Sequence, residues 1–276
     1  ANASATAIST ANAIGCANGT DAILLALRAL DVGRNDAVIT TPFTFFATAG
    51  AIHNVGARTV FADIDPDTFN ISVEAVDETV RNTPDAKAVI AVDLFGQMAA
   101  IDEIKNTLPQ GMSVIEDAAQ SIGASRRVDG LEVMAGQIAD IGTFSFFPSK
   151  NLGGYGDGGM AVTQSDELAA RLRRLRTHGS VKTYFHEEVG YNSRLDALQA
   201  VVLSAKLPHL AAWSAARRRN ASLYDKAFAD LDGIRTPVID SKNQSFYNQY
   251  TLRAARRDEL QEFLKKRGIG NSVYYP

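Results

Sequence analysis

The sequence predicts an α/β fold: a mostly parallel central sheet with helices on both faces, followed by a smaller C-terminal α/β domain. Two observations carry the sheet. Short strand-like runs alternate with helical patterns along the first two thirds of the chain. Most of those runs are continuously apolar, as in strands buried on both faces. A third observation places the second domain: a long helical pattern interrupted by Pro208 precedes a change of pattern.

Residues 1–13 are rich in Ala, Ser, Thr and Asn with little periodicity, and read as a weakly specified leader. Residues 13–17 read as a short strand, and Asn18-Gly19-Thr20-Asp21 as a turn with helix-start residues. The stretch 22–30 is almost wholly apolar, so its helix is buried. A strand at 37–41 ends at Pro42. A helix over 44–55, a strand over 58–62 and an amphipathic helix over 72–81 follow. Next come a strand at 88–92, a helix at 101–108 and a strand at 113–115 that runs into Glu116-Asp117. Strands at 141–146 and 160–163 bracket a glycine-dense segment. The helix over 166–176 carries basic residues near its end, where the helix dipole favours them. Residues 181–194 mix aromatic and charged side chains without a period and read as a loop. The helical pattern over 195–231 is kinked or split at Pro208. We place the domain change there, with a large domain over 1–205 and a small one over 206–276. The small domain begins with a strand at 246–252, a helix at 258–267 and a strand at 272–275.

Bulk properties exclude several classes of function. A net charge of -3 gives no electrostatic case for nucleic acid or an anionic membrane. The one cysteine, Cys16, rules out an internal disulfide framework and suits a reducing, cytoplasmic setting. No apolar run is long enough to span a bilayer as a helix. His53, His178, His186 and His209 show no metal-ligand spacing. The glycines from Gly153 to Gly159 do not follow the order of a dinucleotide or P-loop fingerprint.

Three stretches carry chemistry. Thr143-Phe144-Ser145-Phe146-Phe147-Pro148-Ser149-Lys150 is an apolar, aromatic run that ends at a lysine. A lysine at the end of a buried strand loses water, which disfavours its ammonium form and frees an amine to attack an aldehyde. The aldehyde to expect is pyridoxal 5'-phosphate (PLP), provided its phosphate and ring nitrogen find partners elsewhere in the chain. A surface lysine at a strand end is the plainer account. The turn at Gly19-Thr20 before a buried helix offers free backbone amides and a hydroxyl to a phosphate. A bare helix cap at Thr20 fits the same residues. Asp117 in Glu116-Asp117-Ala118-Ala119-Gln120 stands at a strand end, where a carboxylate can hold a pyridinium nitrogen protonated. Gln120, one helical turn on, can donate to the ring's phenolic oxygen. Asp117 as a cap for the next helix is equally consistent with the residues.

Five motifs in order resemble one family. They are Asn18-Gly19-Thr20-Asp21-Ala22, Pro42-Phe43-Thr44-Phe45-Phe46-Ala47-Thr48, Glu116-Asp117-Ala118-Ala119-Gln120, Ser145-Phe146-Phe147-Pro148-Ser149-Lys150-Asn151-Leu152-Gly153 and Gly190-Tyr191-Asn192-Ser193-Arg194-Leu195-Asp196. Together they resemble the DegT/DnrJ/EryC1/StrS family of PLP-dependent sugar aminotransferases, of the aspartate-aminotransferase class (fold type I). The resemblance implies that Lys150 carries PLP as a Schiff base and moves a proton. It implies that Asp117 pairs with the ring nitrogen, Gln120 contacts the ring oxygen and Phe45 stacks on the ring. Gly19, Thr20 and Ser145 would hold the phosphate, with Asn192 reaching it from the partner subunit of a homodimer. Arg194, Tyr274 and Tyr275 would meet a sugar nucleotide, and His186 is a further candidate for substrate. Strand packing is the alternative for the two tyrosines, and a plain loop residue for His186.

The implied reaction moves an amino group, from L-glutamate, to a keto group of a nucleotide-linked sugar. Gln249-Tyr250-Thr251 and its neighbours are similar to enzymes that make 3-amino sugars. Rival readings are a same-scaffold enzyme acting on a cyclitol or aromatic precursor, and a non-catalytic sugar-nucleotide-binding or regulatory protein. Lys150 itself speaks against the dehydratase branch, where histidine takes that position. Family members begin earlier and continue past the Tyr-Tyr-Pro segment, so the small domain is expected to be incomplete in this sequence.

Overall fold

The computed structural model describes residues 10–276, so residues 1–9 of the leader expected over 1–13 lie outside the described residues, while Asn12 and Ala13 belong to the first strand rather than to a leader. The chain opens on β1 (Asn12–Cys16) and α1 (Gly19–Ala29), then β2 (Ala37–Thr40), α2 (Ala47–Asn54), β3 (Arg58–Phe61), α3 (Val73–Arg81) and β4 (Ala86–Val92). It continues with α4 (Ile101–Thr107), β5 (Ser113–Asp117), β6 (Ser125–Val128), β7 (Leu131–Met134), β8 (Ile141–Ser145), β9 (Gly159–Thr163) and α5 (Asp166–Leu175). The remaining elements are β10 (Ser180–Lys182), β11 (Phe185–His186), α6 (Ala197–Lys206), α7 (Leu210–Phe228), β12 (Ile234–Arg235), β13 (Asn243–Gln244), β14 (Arg253–Ala254) and α8 (Arg257–Lys266).

Seven strands form the central sheet in the order β1-β9-β8-β5-β4-β2-β3. Every pairing from β8 to β3 is parallel, whereas β9 runs antiparallel to both β1 and β8. Strands β1, β2 and β9 are buried along their length, which explains their largely apolar sequence. One core packs the apolar α1 against one face of the sheet, with Ile52 of α2 and Leu172 of α5. On the other face, Val76 of α3 and Ile104 of α4 cover Ile39, Val89 and Val114. The α/β class with helices on both faces is therefore observed. Because β1 runs in the same direction as β8, the chain segments after β1, β5 and β8 all leave the sheet at one end.

Several elements depart from the sequence expectation. Residues 246–252 form no strand. Their backbone instead lies along the turn after β4: the Phe246 amide donates to the Gly96 carbonyl at 2.8 Å, and Tyr247 adopts φ 51°, which breaks the pleat. Two-residue strands flank this stretch, β13 pairing with β6 and β14 with β12. Residues 272–275 form no strand either, since Tyr275 packs its ring against Phe43 and Phe95. The loop over 181–194 contains the small β10–β11 hairpin. The β6–β7 hairpin adds to the expected elements. Its signal is Asp129-Gly130, both at positive φ, the pair that a tight hairpin turn requires. Pro208 splits its helical pattern as expected, within a 3-10 turn between α6 and α7. The helix expected from residue 44 begins at Ala47.

Candidate active site

The segment between β1 and α1 builds the first wall. Asn18, not Thr20, is the N-cap: its side chain accepts from the Asp21 amide at 2.8 Å. Thr20 is thereby a first-turn residue, and its hydroxyl is not consumed by capping. Gly19 packs directly on Ser145 at the end of β8. A Cβ at residue 19 would stand 2.6 Å from the Ser145 Cβ. A second close approach brings Gly159 under Asn18, where a Cβ would fall 2.2 Å from the Asn18 carbonyl oxygen. The helix start therefore sits flush on the strand ends with its first amides uncovered by any side chain at position 19.

Asp117 forms the floor. It ends β5 and is buried. Its Oδ2 accepts from the Thr48 hydroxyl at 2.9 Å, and its Oδ1 from the Ala119 amide at 3.3 Å. Burial raises its pKa, while Thr48, Ala119 and the Lys150 cation act in the opposite direction. Thr48 is wholly buried on α2 and fixes the carboxylate's orientation. It closes the Pro42–Thr48 motif, which is the signal for it in the sequence.

Lys150 lies close enough to Asp117 for their charges to interact. The lysine follows β8 by five residues, in a turn where its amide donates to the Phe147 carbonyl at 2.8 Å. Burial pushes its pKa below the ordinary lysine range, and the Asp117 charge opposes that shift. The chain thus brings an amine with weakened proton affinity near a buried carboxylate. Next to it, Asn151 is buried and donates to the Gln120 carbonyl at 3.4 Å.

Gln120 links the floor to the C-terminal segment. Its Oε1 accepts from the Phe95 amide at 2.6 Å, and its Nε2 donates to the Tyr275 hydroxyl at 3.4 Å. Phe95 is buried with φ 58°, a left-handed conformation held by that bond. Phe43, Phe69, Phe95 and Tyr275 form one aromatic cluster beside the site. Tyr274 meets Phe95 edge-on and stays 39% exposed.

Other expected site residues face solvent on the single chain. Phe45 is 61% exposed, and Asn192, Arg194 and His186 are exposed. His186 pairs its Nδ1 with the His178 carbonyl at 3.0 Å. Ser193, between Asn192 and Arg194, is buried and accepts from the Ala17 amide at 3.1 Å, which ties that loop to the segment before α1. The structure therefore brings together Gly19, Thr20, Ser145, Asp117, Lys150, Gln120 and Tyr275, and leaves Phe45, His186, Asn192, Arg194 and Tyr274 at the surface. No group of acidic, histidine or cysteine side chains among the described residues is arranged to hold a metal ion. No helix there is long and apolar enough to cross a membrane.

The family model described as the DegT/DnrJ/EryC1/StrS aminotransferase family matches residues 2–276. The chain is 51% identical over 266 residues to a protein from Geobacillus stearothermophilus named pleiotropic regulatory protein, covering 95% of this chain and 70% of that one. It is 45% identical over 267 residues to UDP-N-acetyl-3-dehydro-alpha-D-glucosamine 3-aminotransferase from Acidithiobacillus ferrooxidans, covering 96% of this chain and 70% of that one. Among solved structures it is similar to S. venezuelae DesV in complex with a ketimine intermediate, with a TM-score of 0.95 and 38% identity over 100% of this chain and 73% of the other. With its motifs gathered at one end of the sheet and a family match over nearly its whole length, the chain belongs to the DegT/DnrJ/EryC1/StrS aminotransferase family.

Proposed function

We propose that this protein is a PLP-dependent aminotransferase that moves an amino group from L-glutamate to a keto group of a nucleotide-linked sugar. The observation that carries the reading is the desolvated Lys150 amine within charge-interaction range of buried Asp117, with the Gly19–Ser145 close approach at the start of α1. The UDP-linked 3-dehydro sugar of the Acidithiobacillus ferrooxidans relative supports the substrate class. The name of the Geobacillus relative favours a regulator, but a silent binding protein has no use for a desolvated lysine near a buried carboxylate.

The residues fit PLP. The close approach of Gly19 to Ser145 leaves first-turn amides and the Thr20 and Ser145 hydroxyls for a phosphate. When bound, PLP supplies a ring that accepts negative charge from the carbon losing its proton. Lys150 Nζ would hold the aldehyde carbon, and its free amine would take up a proton and return it. Asp117, held in place by the Thr48 hydroxyl, would pair with the ring nitrogen and keep it protonated. Gln120 Nε2 donates toward the ring oxygen, and Phe45 covers the ring face. Arg194, Tyr274, Tyr275 and His186 contact the sugar nucleotide, where the planar fork of Arg194 suits a diphosphate.

The working unit is a cytoplasmic homodimer in which Asn192 completes the partner's phosphate site. Exposed large apolar side chains, including Phe46 at 80% and Leu198 at 80%, supply surface for a second copy to cover. Mixing Lys150→Ala with Asn192→Ala protein is expected to restore activity that neither shows alone, because each mixed dimer carries one unmutated site. No restoration after subunit exchange would place Asn192 in its own chain's site.

Gly19→Ala is expected to push the α1 start off Ser145 and weaken PLP binding at least about tenfold, or about 1.4 kcal/mol. An absorbance titration of stripped protein measures it, and unchanged affinity would remove Gly19 from the phosphate site. The function itself is tested by screening UDP- and dTDP-linked keto-sugars with labelled glutamate and following the label by mass. Label appearing in an amino-sugar product is the expected result. No transfer to any member of the panel would overturn the reading.

A further inference from the structure

Behind Asp117 the interior holds two more carboxyl groups. Glu116 precedes Asp117 on β5, so its side chain leaves the opposite face of the strand. Asp93 follows β4, the neighbouring strand, and its amide donates to the Asp117 carbonyl at 3.0 Å. Both side chains belong to residues with no solvent exposure.

The two carboxyls are provided for unequally. Asp93 Oδ1 accepts from the Ala99 amide at 2.8 Å and Oδ2 from the Ser121 hydroxyl at 2.7 Å. Among the described residues no hydrogen bond of full geometry reaches either Glu116 oxygen, and the Gly136 amide is the one donor close enough to favour its charge. Glu116 faces Asp93. The charged groups that act on this pair are its own members and Asp117, and Asp117 is negative too. Two ionised carboxylates cannot coexist in such an interior without a cation. One proton resolves the arrangement: an O–H on Glu116 donates to an Asp93 oxygen, which satisfies one atom of Glu116 and removes one charge.

We propose that Asp93 and Glu116 share a single proton and act as a positioning pair for Asp117. The shared proton limits the negative charge behind Asp117, so that Asp117 keeps its own charge for the cationic ring nitrogen. Asp93 at the same time holds the turn 93–99, which carries Phe95 onto Gln120. Burial and the neighbouring Asp93 charge hold the Glu116 carboxyl well above the glutamate range, and burial raises Asp93 to about 6. The role toward Asp117 rests on the function proposed above, whereas the shared proton does not.

The test uses Glu116→Gln, which keeps shape and an N–H donor, and Glu116→Ala, which keeps neither. A group whose folded pKa is raised contributes stability below its unfolded pKa and loses it as pH rises toward the folded value. Above the unfolded glutamate range, the wild-type unfolding constant is therefore expected to climb relative to Glu116→Gln by up to about tenfold per pH unit. Urea unfolding of the full chain between about pH 6 and 9 reads this ratio, and a ratio independent of pH overturns the shared proton. For the role toward Asp117, stripped Glu116→Gln protein is expected to bind PLP within about twofold of wild type and Glu116→Ala at least about tenfold more weakly. A glutamine variant as impaired as the alanine variant overturns that role. Wild-type protein that takes up no PLP overturns the function above, while the pH ratio decides the proton separately.

Discussion

Lys150→Ala protein, supplied with PLP and borohydride, is expected to acquire no covalent label, whereas wild type acquires one. Its aminotransferase activity should fall at least about 10⁴-fold, the scale of losing a nucleophile that also serves as the base. The expectation follows from geometry. Lys150 interacts with the Asp117 charge, and burial weakens its hold on the proton, so a larger fraction is free amine at neutral pH than for a surface lysine. Removing the side chain leaves Asp117 and Thr48 in place, so unfolding midpoints should change little. Mass spectrometry of the borohydride-treated proteins measures the first outcome and labelled-glutamate turnover the second. A label on a different lysine in wild type would end the assignment.

Arg126→Ala is expected to destabilise the protein by about 3–5 kcal/mol, the loss seen when one partner of a buried ion pair is removed. The Arg126 side chain is fully buried and feeds three carboxylates: Nε to Asp102 at 2.7 Å, Nη2 to Glu103 at 2.6 Å and Nη1 to Asp240 at 3.0 Å. It also donates to Asn243 at 3.3 Å. These partners come from α4 and from the segment around β13, while Arg126 lies on β6. One guanidinium therefore fastens the second half of the chain to the edge of the first. Glu103 and Asp240 are partly exposed and regain water when the arginine is lost, which places the effect toward the lower end of the range. Urea unfolding at neutral pH measures it. Retention of the wild-type midpoint would show that the cluster is solvated in solution.

The acid side of the profile follows from the same cluster. Burial raises Asp240, but the Lys242 amide and the Arg126 guanidinium outweigh it and hold the carboxyl below the usual aspartate range. A depressed carboxyl contributes stability above its unfolded pKa and loses it as pH falls toward the folded value. Wild type should lose this increment on acidification, and Arg126→Ala should show a shallower acid dependence.

Much of the molecule was legible in the order of its residues. The largely apolar runs of β1, β2 and β9 announced buried strands because neither face of the sheet meets water there. Lys150, Asp117 and Gly19 were visible because each chemistry demands a residue type at a strand end or a turn. Asp129-Gly130 carried a readable hairpin signal as well. The stretch 246–252 misled because its residues favour strands intrinsically, while its amides are bound by the carbonyls of the turn after β4.

What the sequence determined by itself was therefore local: strand or helix, turn or cap, and the side chains that suit an aldehyde, a phosphate and a ring nitrogen. Tertiary structure decided which of them meet. It transferred the cap of α1 to Asn18 and left Thr20 free. It supplied Thr48 to Asp117 across 69 residues and Tyr275 to Gln120 across 155. It also placed Glu116 and Asp93 together in the dry interior. The reason is physical. Desolvation and through-space charge depend on what packs around a group, and the chain segments that do so are distant in sequence.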